Sequence, residues 1–112
     1  LYRDAKITPT KAGLFVTIWK RNGTGPIMPF DLNDPIDFFI IGIHENDRMG
    51  QFIFPKSVLI HHDYVSKNQN GGKRAMRVYP PWTDNLNAQA RKTHAWQALY
   101  FFEITEQNTD TR

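Results

Sequence analysis

The stretch Ile36-Asp37-Phe38-Phe39-Ile40-Ile41-Gly42-Ile43-His44, continued by Glu45-Asn46-Asp47-Arg48-Met49-Gly50 and Gln51-Phe52-Ile53-Phe54-Pro55, decides the fold. A continuous apolar run between Asp34-Pro35 and a polar turn reads as a central strand covered on both faces. Gln51 to Phe54 reads as a second strand, so the two make a hairpin with Glu45 to Gly50 as its turn. Pro55 ends the second strand and suits the first position of a short helix over Lys56 to Ile60, where its missing N–H costs nothing. The longest unbroken apolar segment runs from Phe38 to Ile43, whereas a bilayer span needs about 20 residues, so a soluble protein with no membrane partner is expected.

Upstream of the hairpin, Leu14, Val16 and Ile18 alternate with Phe15, Thr17 and Trp19, the period of two that marks a strand. Lys20 to Pro26 is a basic turn, and the prolines and acids from Pro26 to Pro35 predict an irregular surface excursion, a functional loop or flap. Asn22-Gly23-Thr24 reads as turn chemistry rather than a glycosylation acceptor. Downstream, Ser66 to Gly72 has no apolar residue and reads as a flexible loop. Lys73 to Tyr79 resumes a strand, with Met76 and Val78 on one side and Arg77 and Tyr79 on the other. After Pro80-Pro81, Asp84 or Asn85 can cap a helix from about residue 86 to 103, carrying Leu86, Ala90, Thr93, Trp96 and Leu99 at helical spacing, with Arg91, Lys92 and Gln97 on its surface. The expected architecture is α+β: a single mainly antiparallel sheet, with room for a parallel pair, and a long C-terminal helix packed on it. Thr105 to Arg112 is expected to be frayed.

A length of 112 residues suits one domain with one core. The absence of Cys excludes disulfides, thiolate metal sites and a Cys nucleophile, and agrees with a cytoplasmic location. Charge is unevenly spread. Arg3, Lys6, Lys11, Lys20 and Arg21 make residues 1–30 basic, Asp31, Asp34, Asp37, Glu45 and Asp47 make residues 31–50 acidic, and basic residues return from Lys56 to Lys92. An acidic segment between basic ones suits a metal or catalytic locus beside anion-binding surfaces, or a solvated face that balances its neighbours.

The sequence has no phosphate-binding glycine loop, zinc-protease helix, nucleophile elbow or calcium loop. His61 and His62 are adjacent and His44 and His94 isolated, which is poor spacing for a metal. Three segments combine cations with turn or aromatic residues: Lys6, Thr8, Thr10 and Lys11 around Pro9; Trp19, Lys20 and Arg21; and Lys73, Arg74, Arg77, Tyr79 and Trp82. Hydroxyl and ammonium donors in a Pro-constrained loop suit a phosphate, and Trp19, Tyr79 and Trp82 beside cations suit the stacking-plus-charge mixture that holds nucleic acid. A core role for either Trp is the competing reading.

The runs Ala5 to Lys11, Gly13 to Arg21, Ile36 to Phe39, Gly50 to Leu59, Gly72 to Trp82 and Trp96-Gln97 resemble the MepB family, named for a protein encoded beside a multidrug efflux pump and its repressor. That resemblance implies a link to drug efflux and an additional N-terminal region lacking in these 112 residues. A weaker resemblance is to restriction-endonuclease-like folds, where an Asp on one strand and an acidic-x-Lys triplet on the next hold Mg²⁺ and activate water. It assigns Asp37 as catalytic residue and metal ligand, Gln51 in place of the second acid, and Lys56 as the nearest lysine. A neutral amide holds Mg²⁺ less well than a carboxylate, so cleavage should be weak or lost and no cofactor required, with Mg²⁺ needed only for a catalytic form. Three functions follow: a nucleic-acid-binding domain, chiefly for DNA, with a degenerate nuclease-like site; a protein-interaction or regulatory module; and a weakly active metal-dependent nuclease or phosphodiesterase.

Overall fold

Phe38–Glu45 and Arg48–Pro55 do pair as a hairpin, with longer arms and a tighter turn than the sequence suggests. Only Asn46 and Asp47 lie outside the ladder, and Asn46 adopts φ 56°, the left-handed conformation that Asn tolerates better than most side chains. The computed structural model describes residues 1–105. In chain order the elements are β1 (Tyr2–Asp4), β2 (Lys6–Ile7), β3 (Leu14–Thr17), β4 (Trp19–Arg21), β5 (Ile27–Pro29), β6 (Phe38–Glu45), β7 (Arg48–Pro55), α1 (Lys56–His61), β8 (Ala75–Val78), α2 (Ala88–Gln97), a 3₁₀ turn (Ala98–Tyr100) and β9 (Phe101–Ile104).

The α+β class holds, but the strands form three sheets instead of one. They are ordered β1-β6-β7-β9, β2-β3-β8 and β4-β5. The first is mixed, because β1 runs parallel to β6 while the other pairs are antiparallel. The alternating run from Leu14 breaks at Ile18: Trp19 leaves the β3–β8 ladder and pairs with Pro29 in a separate ribbon. The irregular excursion therefore contains a strand, β5.

The long helix is corrected as well. Asn87, not Asp84 or Asn85, caps α2, its side chain accepting from the Ala90 N–H at 2.8 Å. The helix stops at Gln97, and Phe101–Ile104 forms β9 against β7, with Phe101 opposite Phe52 and Phe102 opposite Gln51. A free edge on β7 offers a ladder to a four-residue segment holding two Phe and an Ile, which outweighs the three-to-four spacing that read as helix. Of the tail expected to fray, all but Thr105 lies outside the described residues.

One core joins the sheets: Phe39, Ile41 and Ile43 of β6, Phe52 and Phe54 of β7, Leu14 and Val16 of β3, Met76 and Val78 of β8, and Leu59 of α1. Gln97, expected on the helix surface, is fully buried. Its Oε1 accepts from the Tyr79 N–H at 2.8 Å and its Nε2 donates to the Arg77 carbonyl at 3.0 Å, so a side-chain amide takes the place of a neighbouring strand along β8. That pair of bonds ties α2 to the small sheet that carries the candidate site.

Candidate nucleic-acid interface

On β2-β3-β8 the inward positions are Leu14, Val16, Met76 and Val78, so pleat alternation turns Phe15 and Arg77 to the opposite face. The register sets Lys6 opposite Phe15 and Phe15 opposite Arg77, giving a row of cation, aromatic ring and cation across three strands. Phe15 is 38% exposed, and the Arg77 guanidinium stands 5.9 Å from its ring centroid. Arg77 also fastens the loop between β2 and β3: its Nη1 donates to Thr8 Oγ1 at 2.9 Å and to the Ala12 carbonyl at 3.2 Å. The loop returns to the sheet at Gly13, whose φ of 76° and contact with the Tyr79 ring leave no room for a Cβ. Lys11 and Thr10 stand exposed on this loop. Grooves of about 340 and 460 Å³ lie on either side of Lys11 and Ala12, with Trp82 to Asn85 on one far wall and Leu86 to Ala90 on the other.

The fold thus brings Lys6, Thr8, Thr10, Lys11, Arg77 and Tyr79 into one neighbourhood, with Trp82 across a groove from Lys11, and places Trp19, Lys20, Arg21, Lys73 and Arg74 elsewhere. Trp19, Lys20 and Arg21 sit on the β4–β5 ribbon, where Arg21 lies 5.5 Å from the Trp19 ring. Lys20 pairs with Asp34 at 2.7 Å, so its charge is largely matched where it stands. Lys73 lies 4.9 Å over the Tyr64 ring, and Arg74 is exposed, its carbonyl accepting from the Ile18 N–H. Trp82 works as a clasp. Its indole N–H donates to Glu45 at 2.8 Å, the Arg48 guanidinium lies 4.3 Å from its ring, and Phe101 meets it edge-on. Arg48 is in turn held by a two-pronged bond to Glu103, which keeps the Glu103 carboxyl below its ordinary range.

The nuclease-like trio is not assembled. Asp37 is exposed ahead of β6, and Gln51 stands opposite Gly42, five positions along that strand, which at the usual rise is roughly 17 Å away. The Lys56 ammonium donates to the Leu32 and Asp34 carbonyls at 2.8 and 2.9 Å, bracing the loop before β6. Among the described residues no group of three or more His, Cys, Asp or Glu is placed to hold a metal.

Sequence reasoning missed the most elaborate polar constellation in the molecule. Asp31 is buried, and its carboxylate accepts from Ser66 Oγ at 2.7 Å, the Gln69 N–H at 2.8 Å and the Asn33 N–H at 3.0 Å. These bonds, the Gln69 N–H first, pull its pKa down to about 2. Desolvation pushes the Asp34 carboxyl up, but the bonds from Lys20 and the Asp31 N–H outweigh it and leave the group below its usual value. Lys67 and Asn70 exchange both backbone bonds around Asn68 and Gln69, whose φ angles are 51° and 69°. The loop read as flexible is therefore a tight turn, clamped to the other side by Asn33 Nδ2 donating to Asn68 Oδ1. Together they border a cleft of about 540 Å³. The available signal was an acid pair spaced i, i+3 in a Pro-bounded loop, the spacing of a self-bonding turn.

The chain matches the MepB-like family model over residues 1–103. It belongs to that family. It is similar to the chain in a crystal structure of MepB, with a TM-score of 0.88 and 35% sequence identity over 94% of this chain and 70% of that one. A search of curated proteins returned no match. The family resemblance read from residues 5–104 is confirmed, and the MepB-like fold extends over nearly all the described residues.

Proposed function

We propose that this MepB-like domain binds nucleic acid without cutting it, holding a single strand across the outer face of β2-β3-β8. The reading rests on the row Lys6–Phe15–Arg77: a half-exposed ring accepts the face of any base, while flanking cations follow the phosphates. Lys11 and the Thr10 hydroxyl, on the loop braced by Arg77, add donors for a neighbouring phosphate. Binding without cleavage accords with the separation of Asp37 from Gln51 and with the commitment of Lys56 to two carbonyls.

Fluorescence anisotropy with a labelled single-stranded oligonucleotide at several salt concentrations tests the proposal. Three cations on phosphates give a log–log salt slope of about −2 on a single strand. Binding that ignores salt, or that persists unchanged when Lys6, Lys11 and Arg77 are all replaced by Gln, overturns it. Incubation of the same oligonucleotide with Mg²⁺ should leave it intact.

A further inference from the structure

Two grooves meet at the ridge formed by Lys11 and Ala12, and their walls carry opposite charge. The groove of about 460 Å³ has the cations Lys11 and Arg77 beside the Tyr79 ring. The groove of about 340 Å³ has the acids Glu45 and Asp84 beside the Trp82 indole. Both volumes fall within the range of small-ligand sites, roughly 300–1,000 Å³. A nucleotide is divided in the same way, with an anionic phosphate at one end and, at the other, a flat base whose edge carries hydrogen-bond donors. The acidic groove is organised before any ligand arrives. Glu45 closes β6, and its Oε1 accepts from the Trp82 indole N–H at 2.8 Å, so ring and carboxylate line the groove as one unit. Trp82 is fixed in turn by the Arg48 guanidinium, 4.3 Å from its ring, and by Phe101 edge-on.

We infer that the acidic groove is a base-reading pocket, selective for guanine, for the nucleotide whose phosphate sits at Lys11 and Arg77. The inference rests on the strand-binding reading above and adds a sequence preference to it. Ionised carboxylates only accept hydrogen bonds, so they choose among bases by the donors those bases present. In an unpaired strand the whole Watson–Crick edge is open to the protein. Thymine and uracil offer there a single N–H between two carbonyls, whose oxygens repel a carboxylate. Cytosine and adenine offer an amino group beside a ring-nitrogen acceptor. Guanine alone offers two adjacent donors, N1–H and the N2 amino group, the pattern that the two oxygens of one carboxylate accept. Glu45, oriented by Trp82, is the group placed to take them: Oε1 keeps a second lone pair beside the one that meets the indole, and Oε2 has both of its own. Asp84 adds a second acceptor on the same groove. A guanine in a duplex spends these donors on its partner base and is not read.

Fluorescence anisotropy with labelled single strands tests this, comparing oligothymidylate with the same strand carrying one central guanine or one central cytosine. A single guanine should tighten binding at least about fivefold over thymine, the lower end of what a two-pronged base contact gives, and cytosine should fall short of guanine. In Glu45→Gln the amide oxygen can still accept from Trp82 while the other atom becomes a donor, and the guanine-to-thymine ratio should drop to about 1. Asp84→Asn, at an exposed position, should at least halve the ratio, and it reports even where Glu45→Gln loosens Trp82. Asp47→Asn removes the same charge from an exposed residue of the hairpin turn outside the groove and should keep the ratio. Equal affinity for the thymine and guanine strands, with binding still salt-dependent, overturns the guanine pocket and leaves the strand-binding reading standing. A ratio that survives both Glu45→Gln and Asp84→Asn also overturns it. Absence of binding by every strand at about 100 μM protein overturns the strand-binding reading, and the pocket with it.

Discussion

The outer faces of the two larger sheets are built by the same pleat and present opposite chemistry. Across β2-β3-β8 the outward row reads Lys6, Phe15, Arg77, while across β1-β6-β7-β9 it reads Tyr2, Ile40, Ile53 and, one step along, Gln51 beside Phe102. Both have their inner faces in the same core. The difference teaches that exposure of an aromatic is ambiguous until its neighbours are known. Phe15 stands between two cations and suits a base in water, whereas Phe102 has the neutral Gln51 beside it and Met49 and Ile104 one step along, with no cation in the row.

The largest effect expected from breaking this comparison comes from the element both sheets lean on. Gln97→Ala removes a buried amide and leaves the Tyr79 N–H and the Arg77 carbonyl without partners, which should lower unfolding stability by about 3 kcal/mol in a urea titration. A loss within error would mean that β8 does not need that cap. Next comes the pair that separates the two faces. Phe15→Ala should weaken oligonucleotide binding by about 1–3 kcal/mol in anisotropy, whereas Phe102→Ala should leave it unchanged. Equal effects would erase the distinction between the faces. Removing the cations singly sharpens the picture further: Lys6→Gln and Lys11→Gln should each flatten the salt slope by about 0.7, with no change in thermal stability.

The smallest effect is a pH dependence outside both faces. Asp31 titrates at about 2 when folded, below its ordinary value of 3.8, so the folded state binds its proton less readily than the unfolded one. Its contribution is complete above about pH 4 and is lost as pH falls towards 2. Denaturant titrations of the parent should show declining stability across that window, and Asp31→Asn should flatten the decline. An unchanged slope in the variant would remove Asp31 as the cause.

Much of this architecture was legible because local patterns are short-range physics. The β6–β7 hairpin could be read from one apolar run, a polar turn and a terminating proline, and the placement of Met76 and Val78 inward on β8 from simple alternation. Other features were not legible for identifiable reasons. Phe101 to Ile104 carries both periods, and only the open edge of β7 selects the strand. Trp82 beside cations reads as a stacking platform, and only the tertiary structure sets Glu45 and Arg48 against its indole. Asp31 was legible only as one acid of an acidic segment, because its partners, Ser66 and Gln69, lie 35 and 38 residues away.

The sequence by itself determined an α+β chain of the MepB-like family, the hairpin at its centre and the alternation of sides along β3 and β8, since these depend on side-chain period and on turn residues within a few positions. Only the tertiary structure decided which cations meet an aromatic, where Asp31 finds its donors and which sheet face stays open. Those outcomes depend on pairing between segments far apart in the chain, as when Arg77 reaches Thr8 across 69 residues. Loop closure and mutual packing choose such partners, and neither leaves a periodic trace in the residues that result.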